Sequence, residues 1–234
     1  MSTLNGGPII VKDGLVFFLD ASNTKSFISG STSWNDLTKN LNNVTLTNGP
    51  TFSSTNGGSI VFDGTNDRID CGTSFETIIT GSSTFSIECW VYPNSTQVQY
   101  ADIWGNHTEP YSGIVMQNNG GTGNVFNWGY GTGTSWVVTN TFTLNSSQYN
   151  HLVAVRNSSN YLITYLNNIQ VTNFLSSGNI KPNTTFNFQI GTGYNLNNNR
   201  YLNGRISNFK IYNRPLSSIE ISQNYNSLKY RFGL

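Results

Sequence analysis

Apolar and polar residues alternate along most of this chain in short runs separated by Gly, Asn and Ser. In residues 85–92, Phe85, Ile87, Cys89 and Val91 fall on one face and Ser86, Glu88, Trp90 and Tyr92 on the other. That period of two is what a half-buried strand requires. Similar runs recur at 15–20, 59–62, 114–117, 151–157, 161–166, 186–191 and 205–212. Many short strands at close spacing, with turn residues between them, predict an all-β protein. Asn167-Asn168 parts two apolar runs, and Asn tolerates the positive φ of a two-residue turn, so a hairpin is predicted there. The polar stretch 38–56 and the Gly- and Asn-rich stretch 118–133 read as loops.

The end of the chain breaks this pattern. Ser217 stands three residues before Glu220, with Pro215 just upstream, the spacing of a capping box. Ile221, Tyr225 and Leu228 then follow at i, i+4 and i+7, and Phe232 continues the stripe. The spacing predicts a helix over 218–228 whose apolar side lies on the outside of a sheet, as a lid.

At 234 residues the chain can bury a substantial core in a single domain. Residues 1–13, with Gly6-Gly7-Pro8, read as an N-terminal arm, and 14–234 as the domain. Charged residues make up only 10%, while Asn, Ser and Thr together supply roughly 35 to 40%, so the surface is neutral and hydrogen-bonding. A net charge of +1 provides no electrostatic footprint for nucleic acid or anionic lipid. Neither nucleic-acid binding nor membrane insertion is expected. The 14 Phe, 12 Tyr and 5 Trp can repay the entropy of folding, which argues against disorder. The first apolar stretch has no basic region ahead of it and is interrupted by Asp13 and Asp20, so it is not expected to act as an export signal. In that setting Cys71 and Cys89 are expected as free, buried thiols.

The segments TYLNNIQV, FQIGTG and RYLNGRISNFKIYNRPLSSIEI, in that order, resemble the closing blocks of the laminin G-like, concanavalin A-like lectin-glucanase jelly-roll family. SIVFDGTNDRIDCG, STFSIECWVYP and YNHLVAVRN resemble upstream blocks, and the likeness runs from about Gly14 to Leu228. It implies a jelly-roll sandwich of two antiparallel sheets with a short C-terminal helix. GLVFFLDASNTKSF and QNYNSLKYRFG resemble a subgroup found in structural proteins of tailed phages, notably marine ones. That finer resemblance implies location in a virion as a capsid decoration, fibre or spike component. Its partners would be other virion proteins, copies of itself and host surface glycans.

The fold also hosts glycoside hydrolases, which need two suitably spaced carboxylates. The glutamates are Glu76, Glu88, Glu109 and Glu220, none with an acid two residues on, so no catalytic residue and no enzyme is expected. Glu88, in a core strand, reads as a structural acid. His107 and Glu109 share the loop sequence WGNHTEPYSG, with His107 the looser candidate for a role. Two separated Cys and two separated His make no zinc cluster. Asp63, Asn66 and Asp67 offer oxygens for calcium but suit a turn beside Gly64 better, so no metal and no cofactor is expected. What remains is a binding surface. Trp128, Tyr130 and Trp136 set rings among glycines, and the segment 191–201 adds the Asn195 amide and the Arg200 guanidinium. Rings and amides together suit a sugar. The competing reading places Trp128 and Trp136 in the core or in a hairpin. Two functions therefore stand side by side, a non-catalytic virion structural protein and a carbohydrate-binding adhesin.

Overall fold

The computed structural model describes residues 9–72, 75, 78–81, 83–194 and 199–234. The strands in chain order begin with β1 (Leu15–Asp20), β2 (Ser33–Trp34), β3 (Val44–Thr47), β4 (Thr51–Ser53), β5 (Ser59–Asp63) and β6 (Arg68–Asp70). Next come β7 (Phe85–Pro93), β8 (Asp102–Gly105), β9 (Ile114–Asn118), β10 (Val125–Gly131), β11 (Trp136–Val138) and β12 (Phe142–Thr143). The last third supplies β13 (Asn150–Arg156), β14 (Tyr161–Leu166), β15 (Ile169–Leu175), β16 (Gln189–Ile190), β17 (Asn203–Tyr212) and helix α1 (Ser218–Leu228).

The strands form two antiparallel sheets. The first runs β15-β14-β13-β7-β17-β5-β4, with β1 also on β17; the second runs β11-β10-β9-β8-β16-β6-β3-β2, with β12 also on β10. Alternating side chains of both sheets meet in one core that includes Phe17, Phe62, Ile87, Cys89, Trp104 and Met116. This is the expected jelly-roll sandwich, and the Asn167-Asn168 hairpin joins β14 to β15 with both residues at positive φ.

Helix α1 covers the outer face of the first sheet. Ser217 Oγ accepts from the Glu220 N–H at 3.3 Å and Glu220 Oε2 accepts from the Ser217 N–H at 2.8 Å, so the capping box forms as the sequence predicts. Ile221 packs with Val153, Val155 and Tyr212, while Leu228 and Phe232 pack on Trp90 and Tyr149. With a helix over it, β7 is buried on both faces, and its polar positions need internal partners. Glu88 finds them: Lys210 Nζ donates to Oε1 at 2.6 Å, Asn224 Nδ2 donates to Oε2 at 2.6 Å, and His151 Nε2 lies 3.1 Å from Oε1. Burial alone would raise this carboxyl, but the Lys210 ammonium and His151 hold it well below its usual range. Asn224 Oδ1 also accepts from the Val11 N–H at 2.8 Å, so the segment before β1 is tied to the same helix.

Three sequence readings need correction. The stretch 38–56 contains β3 and β4, and 186–191 pairs only over Gln189–Ile190. The stretch 118–133 contains β10, which sends Phe126, Trp128 and Tyr130 into the core. Its glycines mark crowding: a Cβ on Gly129 would overlap the Val137 carbonyl, and one on Gly131 would overlap the Tyr111 backbone. Cys71 and Cys89 are free and buried, and burial pushes both thiols up.

Candidate functional site

The second sheet turns one face away from the core, and a cleft of about 390 Å³ lies on it. Because β9 and β10 alternate, Met116 and Trp128 point inward while Gln117 and Asn127 point into the cleft. Tyr100 and His107, on either side of β8, and Trp136 on β11 form its walls, joined by Tyr194 and Arg200 from the segment after β16. That segment is clamped at both ends. His107 N–H donates to Gly193 O at 2.7 Å, and Asp102 N–H donates to Arg200 O at 3.0 Å. The first clamp depends on two glycines, since a Cβ on Gly193 would come within 2.8 Å of Gly105 Cα.

The polar groups are fixed by neighbours. His107 Nε2 lies 3.2 Å from Asp102 Oδ2, both residues being buried, and the ring packs 4.8 Å from Tyr194 and 5.5 Å from Trp136 between centroids. Burial raises the Asp102 pKa, and His107 and Arg200 pull against it. Glu109 Oε1 accepts from the Trp136 indole N–H at 3.1 Å, and Oε2 from the Tyr111 N–H at 3.2 Å. Asn127 Nδ2 donates to Asn119 Oδ1 at 3.2 Å, while Asn127 Oδ1 is buried without a partner among the described residues. The cleft thus offers rings and amides.

The sequence-derived site residues divide here. Trp136 and Arg200 line the cleft. Trp128 and Tyr130 do not, because both rings are 0% exposed in the core, and the expectation that they present stacking faces is corrected. Trp128 Nε1 donates to Thr164 Oγ1 at 3.0 Å, and Tyr130 OH donates to Gly178 O at 3.1 Å. Asn195 lies outside the described residues. His107 and Glu109 join the cleft, while Tyr100, Gln117, Asn119, Asn127 and Tyr194 are additions. The signal for Gln117, Asn119 and Asn127 was the alternation in 114–131, legible only once β10 is read as a strand. The FDGTND segment is a turn, with Asp63 Oδ1 accepting from the Thr65 N–H at 2.8 Å and Asp67 Oδ2 from the Asp63 N–H at 3.0 Å. Among the described residues no group of three or more His, Cys, Asp or Glu could hold a metal ion, and no helix is long and apolar enough to cross a membrane.

Residues 63–222 match the family model of the concanavalin A-like lectin/glucanases superfamily (Laminin_G_3), and the chain belongs to that superfamily. Its fold is also that of domain 4 of AbnA, a GH43 extracellular arabinanase from Geobacillus stearothermophilus, in complex with arabinotriose. The match has 16% identity and a TM-score of 0.71, over 93% of this chain and 100% of that one. The binding domain of botulinum neurotoxin serotype G is similar at 14% identity and a TM-score of 0.69, over 90% of this chain and 50% of that one. Trypanosoma rangeli sialidase in complex with sialic acid is similar at 14% identity and a TM-score of 0.67, over 95% of this chain but only 34% of the sialidase. This chain therefore spans about a third of the sialidase and half of the neurotoxin binding domain. No curated protein sequence matches it.

Proposed function

We propose that this chain is a non-catalytic glycan-binding module whose recognition surface is the cleft between Trp136, Tyr194 and Tyr100. One observation carries the reading: ring faces line the walls of a hollow floored by Gln117 and Asn127, with Asn119 beside them. Sugars present C–H faces to rings and hydroxyls to amides. The arabinotriose-bound domain of the same fold supports this class of ligand. A larger hollow, about 520 Å³, lies between Ile10, Lys12, Phe18 and Leu37, but Phe18 is its only ring among the described residues.

The absence of catalysis is part of the proposal. Glycoside hydrolysis uses a pair of carboxyls facing the scissile bond. At the cleft, Asp102 is fully buried against His107 and Glu109 is held by the Trp136 indole and the Tyr111 N–H. The setting we propose is a phage virion, where attachment to other virion subunits uses a surface other than the cleft. QNYNSLKYRFG and the N-terminal block support that setting by resemblance.

A glycan array probed with the purified protein tests the function. The protein should bind a defined subset of oligosaccharides without release of reducing sugar, and Trp136→Ala should bind at least about tenfold more weakly, as loss of one stacked ring implies. Binding that is indifferent to Trp136→Ala would rule out the cleft. Mass spectrometry of purified particles tests the setting, where absence of the chain from particles would refute it.

A further inference from the structure

Arg200 is the one cationic side chain lining the cleft among the described residues, and its charge has no carboxylate partner there. Its guanidinium carbon lies 4.1 Å from the Tyr194 ring centroid and 5.0 Å from that of Tyr100. Stacking of this kind immobilises the guanidinium through its flat faces and leaves the in-plane N–H groups to donate. Asp102, which feels the Arg200 charge, is buried and pairs with His107. Glu109 is held by the Trp136 indole. Arg200 and Tyr100 also line a second hollow of about 300 Å³ with Val98, Gln99 and Asn199. The cation therefore stands at the junction of two adjoining hollows, oriented by rings and without an acid partner among the described residues.

We propose, resting on the glycan-binding reading above, that the ligand is an acidic oligosaccharide of at least two residues whose carboxylate or sulfate is held by Arg200. A planar guanidinium matches either anion through two parallel N–H donations. Neutral sugar units then occupy the hollows on each side, one against Trp136 and Tyr194, the other against Tyr100. The alternative is that Arg200 serves only to stiffen the two tyrosines. In that case its removal would weaken neutral and acidic ligands alike.

The test uses the full chain and matched probes: trigalacturonate against its methyl ester and sialyllactose against lactose for carboxylates, and sulfolactose against lactose for sulfate. Titration calorimetry should show at least about tenfold tighter binding of the acidic member in one pair, the size expected for one charge-assisted bidentate contact. Which pair shows the preference identifies the anion. Arg200→Gln should abolish that preference by weakening the acidic member at least about tenfold more than the neutral one, and Arg200→Lys should restore only part of it. Raising the salt should narrow the gap in the native protein. Binding of neutral members with no acidic preference overturns this inference and leaves the glycan-binding function standing. Equal loss of both members in Arg200→Gln also overturns it, and no binding by any probe overturns both.

Discussion

Trp128 and Trp136 lie on neighbouring strands yet should respond to truncation in opposite ways. Trp128 is 0% exposed, packs 6.2 Å from Phe85 and 6.4 Å from Trp104 between ring centroids, and donates its indole N–H to Thr164 Oγ1. Trp128→Ala removes a whole buried ring at about 3–5 kcal/mol, and the lost hydrogen bond adds about 1 kcal/mol. With a urea slope near 3 kcal/mol/M, a loss of about 4 kcal/mol lowers the unfolding midpoint by roughly 1.3 M with unchanged slope. Trp136 is half-buried at the cleft wall, and its truncation should cost only about 1–2 kcal/mol, from partial ring burial and its bond to Glu109. Urea titrations of the three proteins, followed by glycan binding for each that folds, separate the two roles. Equal destabilisation by both changes would refute the assignment, as would a stable Trp128→Ala protein that had lost its ligand.

Other consequences follow from the buried polar groups. Glu88→Gln should destabilise the fold by about 3–5 kcal/mol because Lys210 is left charged and buried without its counter-ion, and Glu88→Leu with Lys210→Met should recover most of that loss; urea denaturation of all three checks it. The Glu88 and Glu220 carboxyls are both lowered on folding, Glu220 to about 2 chiefly through its bonds to Arg214. Groups lowered in this way contribute stability above their unfolded value near 4.5 and lose it as the pH falls towards 2, so the melting temperature should drop across that window, and a flat profile would contradict the network. Ser217→Ala removes the helix cap and should cost about 1 kcal/mol by the same assay. Calcium and EDTA should leave the melting temperature unchanged, since the Asp63 and Asp67 carboxylates are committed to their own turn.

The sandwich was legible because β7, β13, β14 and β17 carry clean alternation or continuous apolar runs, and the helix because capping and periodicity agree at Ser217, Glu220 and Ile221. The cleft was only half legible. Trp136 and Arg200 were found as exposed-type residues in a polar stretch, and His107 with Glu109 as isolated chemistry in a loop. Trp128 and Tyr130 were misplaced because Gly129 and Gly131 look like loop glycines in sequence, whereas they are outward positions that the backbones of Val137 on β11 and of Tyr111 before β9 approach too closely for a Cβ. Tyr100 and Tyr194 were missed for a different reason. They are 94 residues apart, and only the close approach of Gly105 and Gly193 places them on one cleft. No local pattern encodes that proximity.

A crystal structure of the chain with its tightest-binding oligosaccharide tests the central claim most directly. A sugar ring should lie against Trp136 and Tyr194, with hydroxyls on the Gln117 and Asn127 amides. A ligand seated instead in the hollow between Ile10, Lys12 and Phe18, or on the helix-covered side of the sandwich, would contradict it.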